Sequence, residues 1–302
     1  MEKMQTILVG VDFSNPSAGA IREAGRLAAA DGASLCVVHA VTPHFVEEYR
    51  EGFVRPQSDI IERIRNQVTE FAKANLDGGQ DFEAQVFVGH PFVELIRAAQ
   101  DCSADLMVLG SHGLTVGSHD VGNVASKCVR KAPLPVLLVR DSHQGAFATV
   151  VVGVDFSDTS LLALEKGASL AERDGASLHV LHVHCPPWMW ANHYPYDLKT
   201  TPKQDYEEEY RNVLSDRMEA FIRPLRDSST GVEITTEIIE SDVSLSAIED
   251  YLKQVSADVV VIGTRGRTGL KSLLLGTTAE RLLRDSPCSV LTVKPEGFEY
   301  NP

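Results

Sequence analysis

Residues 149–160 read TVVVGVDFSDTS and repeat residues 6–17, which read TILVGVDFSNPS. The similarity continues at residues 174–182, where DGASLHVLH matches DGASLCVVH at residues 31–39. A chain of 302 residues is long enough for two domains. Because the same pattern occurs twice, the sequence predicts two copies of one fold in tandem.

The repeat also predicts the domain boundaries. The first copy ends with PVLLVR at residues 135–140, and the second begins near residue 148. Between them, DSHQGAF at residues 141–147 is a short polar linker. We therefore expect one domain over residues 1–140 and a second over residues 148–302.

Short apolar runs alternate with amphipathic helical patterns in each copy. The continuous apolar runs at residues 150–154 and 259–262 are typical of strands that are buried on both faces. Five such strands with four intervening helices predict an α/β fold made of two tandem, doubly wound, Rossmann-like domains. Each domain is expected to be a five-stranded parallel sheet, in the order 3-2-1-4-5, flanked by helices.

The charge balance argues against two classes of partner. The chain has 28 Lys+Arg and 42 Asp+Glu, a net charge of −14, and no long basic run, so we expect neither nucleic acid nor membrane as a partner. Its five cysteines form no C-x-x-C pair, which favours a reducing compartment. Its first residues lack the apolar run of a signal peptide, and we expect a cytoplasmic protein.

A glycine-rich loop in the second copy has the chemistry of a phosphate site. The first strand ends at Asp155, and the fourth strand ends at Gly263 before TRGRTGLKSLLLGTT at residues 264–278. Glycines let backbone N–H groups approach an anion, and a helix N-terminus adds further donors. The loop also holds three cations and no acid, namely Arg265, Arg267 and Lys271. The pattern is neither a Walker loop nor G-x-G-x-x-G. A loop that only turns the chain from strand to helix is the competing interpretation.

These motifs together resemble the universal stress protein family in its tandem form. The resemblance rests on V-G-V-D-F-S, on the L-H-V second strand and on G-x2-G-x9-G-[ST], and it covers essentially the whole chain. It implies an ATP-binding stress-response protein, with Mg²⁺ accompanying the nucleotide. With Arg265 from the loop chemistry, the nucleotide-binding residues expected by matched position are Val154, Asp155, Val183, Ile262, Gly263, Gly266, Gly276, Thr277 and Thr278.

The first copy departs from this pattern. Its glycines are Gly110, Gly113 and Gly122, with eight residues instead of nine between the last two, and Asn123 stands where Ser or Thr is expected. Residues 110–123 contain no Lys or Arg. We expect the missing residue to move the helix opening out of register, and the first site to be degenerate for ATP.

Two further groups in the second copy could bind ligands. His182 and His184 share one face of a strand, with Cys185 and His193 nearby in sequence, so a metal site competes with an ordinary core edge. An aromatic run could be a lid or a rigid loop, and it comprises Trp188, Trp190, Tyr194 and Tyr196.

No arrangement of residues in the sequence predicts catalysis. Asp155 could orient Mg²⁺ or a water molecule, but hydrogen bonding to a nucleoside explains it better. The leading prediction is a regulatory protein that holds ATP in its second domain. The alternatives are a slow ATPase or phosphotransferase, and a scaffold or small-molecule carrier with a vestigial nucleotide site.

The last strand of each copy predicts how the two copies meet. These strands, at residues 135–139 and 289–293, are apolar and lie at a sheet edge in the expected order. Because an unpaired apolar edge promotes aggregation, we expect the two strands to pair with each other. The chain would then be an intramolecular pseudo-dimer of its two domains, and further self-association stays open.

Overall fold

The computed structural model describes residues 3–53, 56–77, 79–111, 122–140, 143–186, 203–228, 231–266 and 276–300. The first half of the chain, as we call β1 to β5 with their helices, has one more helix than expected, because two helices lie between its second and third strands. Its elements are β1 Thr6–Gly10, α1 Asn15–Asp31, β2 Ser34–Val41, α2 Pro43–Phe53, α3 Gln57–Asn75, β3 Phe82–Val88, α4 Pro91–Asp101, β4 Leu106–Gly110, α5 Asn123–Lys131 and β5 Val136–Val139.

The second half of the chain, β6 to β10 with their helices, repeats this order, except that the described residues between its second and third strands hold one helix. Its elements are β6 Thr149–Gly153, α6 Asp158–Asp174, β7 Ser177–His184, α7 Lys203–Asp227, β8 Ile234–Glu240, α8 Ser244–Gln254, β9 Val259–Gly263, α9 Thr277–Asp285 and β10 Ser289–Val293.

All ten strands form one sheet in the order β3-β2-β1-β4-β5-β10-β9-β6-β7-β8. Each half is parallel and has the order 3-2-1-4-5, so the expected fold class is confirmed. The two final strands pair as the sequence predicts. β5 and β10 run antiparallel, with Leu137 opposite Leu291 and Leu138 opposite Val290.

The repeated D-F-S and D-G segments are the two ends of one helix. In both halves the serine of D-F-S caps the helix, since Ser14 accepts from the Ser17 N–H and Ser157 from the Ser160 N–H. The glycine ends the helix in the left-handed conformation, with φ 71° at Gly32 and 66° at Gly175. These residues therefore repeat because they set the limits of α1 and α6.

The aspartate of the repeated S-A-D segment fixes the start of each half's first strand. Asp258 Oδ2 accepts from the N–H groups of Ala148 and Thr149, at 2.7 and 2.9 Å. Asp105 Oδ2 accepts from Gln5 and Thr6 in the same way. In each half, the carboxylate that precedes the fourth strand thus binds the start of the first strand, which lies beside it in the sheet.

The central strands lie between two apolar layers. Val150, Val151 and Val152 are fully buried, as their continuous apolar pattern predicts. Part of the segment expected to be a polar linker is also packed, since Phe147 is 1% exposed and its N–H donates to Asp174 Oδ2. None of the described helices has both the length and the apolar composition of a membrane span.

Candidate functional site

The carboxyl ends of β6 and β9 meet at the point where the strand order of the second half reverses. β6 pairs with β7 on one side and β9 on the other, with Gly153 opposite Ile262. Asp155 stands two residues after the end of β6, and Gly263 ends β9. Ligands of open α/β sheets collect at such switch points. The fold thus brings the residues expected at the nucleoside end of the site to one edge of the sheet.

Asp155 is held in a defined orientation. Its Oδ1 accepts from the backbone N–H and the hydroxyl of Ser157, at 3.1 and 2.5 Å. Its Oδ2 points towards the glycine loop, because a Cβ atom at position 266 would lie only 2.8 Å from it. A side chain at position 266 would therefore displace the Asp155 carboxylate from this orientation.

The other two glycines differ in their surroundings. A Cβ atom at position 263 would lie 2.9 Å from Cγ2 of Thr159, so Gly263 is required by the packing of α6 against β9. At Gly276 the nearest atom to such a Cβ is the Thr264 carbonyl oxygen, at 3.9 Å, and the backbone there is open.

Helix α9 begins immediately after Gly276, which provides no side-chain cap. The first N–H groups of an α-helix have no partner within the helix and attract anions. Thr278 is exposed in this first turn, whereas the side chain of Thr277 lies outside the described structure. The helix opening is thus suited to an anion.

Two cations lie close together beside the start of the loop. The Arg265 guanidinium is 5.2 Å from the centre of the Phe298 ring, and the Lys294 ammonium is 5.0 Å from the same ring. Burial and the nearby Arg265 lower the pKa of Lys294 to about 7. The positive potential here favours an anion. Arg267 and Lys271 lie outside the described residues.

Strand β7 supplies the side wall of the site. Val183 lies in this strand between His182 and His184, whose rings are parallel with centres 5.8 Å apart. His182 Nδ1 lies 2.7 Å from the Val154 carbonyl oxygen and donates to it. The two ring nitrogens of His184 are buried and have no hydrogen-bond partner among the described residues.

The described residues hold no group of three or more possible metal ligands. Cys185 belongs to that part of the chain, but His193 and the aromatic run at residues 188–196 lie outside it. The metal interpretation of this segment therefore gains no support from the geometry.

The first half has the same backbone arrangement at its helix opening. Gly122 precedes α5 with φ −57° and ψ 147°, against −57° and 143° at Gly276. Its N–H donates to the Ser111 carbonyl, as that of Gly276 does to Thr264. The expectation of a helix opening out of register is therefore wrong. In both halves a hydrogen bond from the helix opening to the residue after the fourth strand, Ser111 or Thr264, holds it in the same place, and residues 112–121 lie outside the described structure.

Sequence reasoning missed two cations near the site of the second half. The Arg217 guanidinium lies 4.6 Å from the centre of the Phe156 ring, and Phe156 follows Asp155. Lys294 follows the last strand and is 7% exposed. The sequence held a signal for Arg217, because the second copy has a cation where the first copy has the neutral Gln67. Lys294 gave no such signal, because the first copy has Arg140 at its matched position.

Comparison with known proteins agrees over nearly the whole chain. The model of the universal stress protein family matches residues 3–140 and again 146–294. A universal stress protein of Mycolicibacterium smegmatis is 26% identical over 297 residues, which cover 96% of this chain and 97% of the relative. Universal stress protein E of Photorhabdus laumondii is 25% identical, with 99% and 98% covered.

A crystal structure shares the fold at the same scale. The universal stress protein from Archaeoglobus fulgidus matches with a TM-score of 0.66 at 21% identity, covering 96% of this chain and 98% of that one. Two matches to one family model, one in each half, account for the internal repeat. The chain belongs to the universal stress protein family, in its tandem form.

Proposed function

We propose that the second half of this chain binds ATP and that the protein is a cytoplasmic regulator in a stress response. Val154, Asp155, Val183 and Ile262 would hold the nucleoside. The phosphates would lie against the glycine loop, where the residues in question are Gly263, Arg265, Gly266, Gly276, Thr277 and Thr278.

One observation carries this proposal. The carboxylate after β6 lies within 2.8 Å of where a Cβ atom at position 266 would stand, and the uncapped start of α9 lies at the other end of the same loop. A carboxylate can accept hydrogen bonds from ribose or adenine, whereas helix N–H groups and Arg265 favour phosphate. Such a site has a polar end and an anionic end, as ATP has.

Mg²⁺ would enter with the triphosphate. It binds oxygen ligands and keeps several water molecules, so phosphate oxygens would provide most of its ligands other than water. Thr278 lies in the first turn of α9, where its hydroxyl could contribute.

The glycine before α9 gives the sharpest test. Gly276→Val should weaken ATP binding at least roughly tenfold, or about 1.4 kcal/mol, because a branched side chain would stand where the phosphate meets the backbone. The fold should persist, since position 276 has room for a Cβ atom. Titration calorimetry measures the affinity, with Gly122→Val as the matched control at the same backbone geometry in the first half.

The same titration tests the assignment of the site to one half. We expect one ATP per chain and no effect of Gly122→Val. Unchanged affinity in Gly276→Val, or two equivalent sites in the wild type, would show that the assignment is wrong.

The ligand that copurifies with the protein tests the regulatory role. Mass spectrometry of the compounds released on denaturation should find ATP. ADP alone would favour slow hydrolysis, and a compound without a nucleotide would favour a carrier.

A further inference from the structure

The first half contains a cavity of about 850 Å³ at the carboxyl ends of its strands. This is the counterpart of the proposed ATP site, and its volume lies within the range of about 300–1,000 Å³ that is usual for small-molecule sites. Its wall is mainly apolar. The apolar contributors include Val38, Ala40, Val41, Phe45, Ile64 and Leu95.

Two of the groups that border the cavity are acceptors, and the lining also includes the amides of Gln67 and of Asn123 at the start of α5. Asp12 contributes a carboxylate. His39 Nδ1 lies 2.7 Å from the Val11 carbonyl oxygen, which can only accept, so this nitrogen carries a hydrogen. Burial lowers the pKa of His39 and keeps the ring neutral, which leaves Nε2 as an acceptor. Among the described residues that border the cavity, none is Lys or Arg.

The second half has different chemistry at matched positions. His39 and His182 make the same hydrogen bond, to the carbonyl oxygens of Val11 and Val154. The residues of β2 and β7 therefore occupy equivalent positions in the two halves. Two residues beyond these histidines, the first half has Val41 and the second has His184.

A second difference lies on the helices that cover these strands. Phe71 in α3 contacts Phe13 edge to face at 5.4 Å, and Phe221 in α7 contacts Phe156 in the same way at 5.5 Å. This aligns α3 with α7 and places Gln67 at the position of Arg217. The same fold therefore provides a mainly apolar site without Lys or Arg among its described lining residues in one half, and a site with nearby cations in the other.

We propose that the first half binds a phosphate-free organic molecule, with a mainly aromatic or aliphatic body and an N–H or O–H donor, in the cavity beside Asp12 and His39. A phosphate or carboxylate ligand could reach the start of α5, but it would meet the Asp12 carboxylate with no Lys or Arg side chain among the described lining residues. An apolar body fills the wall, and a donor group satisfies the acceptors at the polar end. The two halves would thus bind two chemically different ligands.

Two dyes with the same body test this chemistry on the full chain. N-phenyl-1-naphthylamine is neutral and has one N–H donor, and 1-anilinonaphthalene-8-sulfonate adds a sulfonate to the same rings. In fluorescence titrations with ATP present in excess, the neutral dye should bind once per chain. Its affinity should exceed that of the sulfonate at least tenfold.

Two variants locate the dye. Ala40→Phe should fill the cavity and weaken the neutral dye at least tenfold, whereas Val213→Phe adds the same side chain at an exposed position of α7 and should leave it unchanged. Gln67→Arg, on the exposed surface of α3, should reduce the preference for the neutral dye at least tenfold. It therefore still tests the proposal if Ala40→Phe does not fold.

Several results would overturn the proposal. They are failure of the neutral dye to bind, equal affinity for both dyes, displacement of the neutral dye by ATP, and unchanged dye binding in folded Ala40→Phe. The Ala40→Phe and Gln67→Arg variants change only the first half. Their effect on dye binding can therefore be measured even if the second half fails to bind ATP.

Discussion

Gly263 and Gly266 lack a side chain for different reasons. A Cβ atom at position 263 would collide with Thr159 on α6, whereas at position 266 it would collide with the Asp155 carboxylate. At position 263 the contacts extend to the Thr159 backbone, so the fold requires this glycine with or without a ligand, whereas at position 266 a side chain would displace only the Asp155 carboxylate. A glycine motif therefore does not by itself say which of its members faces the ligand.

Cys102, which follows α4, should react faster with alkylating reagents than Cys36, Cys128 and Cys288. A hydrogen bond from the Cys36 thiol lowers the pKa of Cys102 to about 7. Burial raises the pKa of Cys128 to about 12 and that of Cys288 to about 11, and the pKa of Cys36 is raised as well. Since the thiolate is the nucleophile, iodoacetamide at neutral pH should label Cys102 first.

Peptide mass spectrometry of the briefly labelled native protein measures this order. In Cys102→Ser the fast labelling at this peptide should disappear while Cys128 and Cys288 stay unlabelled. Earlier labelling of either buried cysteine in the wild type would contradict the prediction.

Each final strand ends in a cation that reaches the last helix of the other half. Arg140 Nη2 donates to the carbonyl oxygens of Leu283 and Arg284 in α9, at 3.0 and 3.1 Å. Lys294 Nζ donates to the Val129 carbonyl oxygen in α5. The carbonyl end of a helix is negative, so both contacts are favourable. Each half thus supplies a cation that caps the last helix of the other half, and these contacts join the two halves.

Lys294 should make stability depend on pH. Its pKa is about 7 in the folded protein, because of burial and Arg265, and about 10.4 in an unfolded chain. Between these values the unfolded state binds more protons, so the free energy of unfolding rises with pH. Below about pH 7 the charged form is buried, and its full cost is present.

The variant Lys294→Met removes this dependence. Its melting temperature relative to the wild type should be highest near pH 6 and fall as the pH rises towards 9. Arg140→Met is the matched control, because arginine stays charged throughout this range. A difference between Lys294→Met and the wild type that is the same at every pH would show that Lys294 does not titrate there.

Most elements could be predicted from their own residues. The sequence predicted the last strands at residues 135–139 and 289–293, and β5 and β10 lie at residues 136–139 and 289–293. The extra helix of the first half was missed. There Pro56, with extended backbone, divides one helical pattern into α2 and α3. Local patterns of apolar and polar residues thus predicted the order of the strands, but not the break between two successive helices.

The site was less predictable than the elements, because it depends on contacts between distant residues. Asp155 and Gly266 could be named from motifs, but their close approach depends on β6 lying beside β9. The position of Arg265 depends on Phe298, in the tail after β10. The matched positions Gln67 and Arg217 could be compared in the sequence, but the placement of Arg217 over the Phe156 ring depends on how α7 packs.

Contacts between the halves extend beyond the strand pair. Arg26 in α1 pairs with Asp174 of α6 at 2.6 Å, and Arg173 pairs with Asp31 at 2.7 Å. The chain also returns to the first half after β10, where Gln100 Nε2 donates to the Tyr300 carbonyl oxygen. The halves are therefore joined at the sheet, at the helices and at the tail.

We expect these contacts to hold the halves together without the covalent connection. A protease site inserted between Arg140 and His143 allows the folded full chain to be cut, and the cut protein should elute from a sizing column as one species.

Leu137 and Leu291 are directly opposite each other, 1% and 7% exposed, in the strand pair. A lysine at either position would bury an unpaired charge in that contact. Leu291→Lys should therefore weaken the association of the cut halves at least roughly tenfold. Circular dichroism of the uncut variant shows whether its second half is still folded, and Val213→Lys, on an exposed face, controls for added charge. If the cut wild-type halves separate into two folded monomers, the pseudo-dimer is wrong.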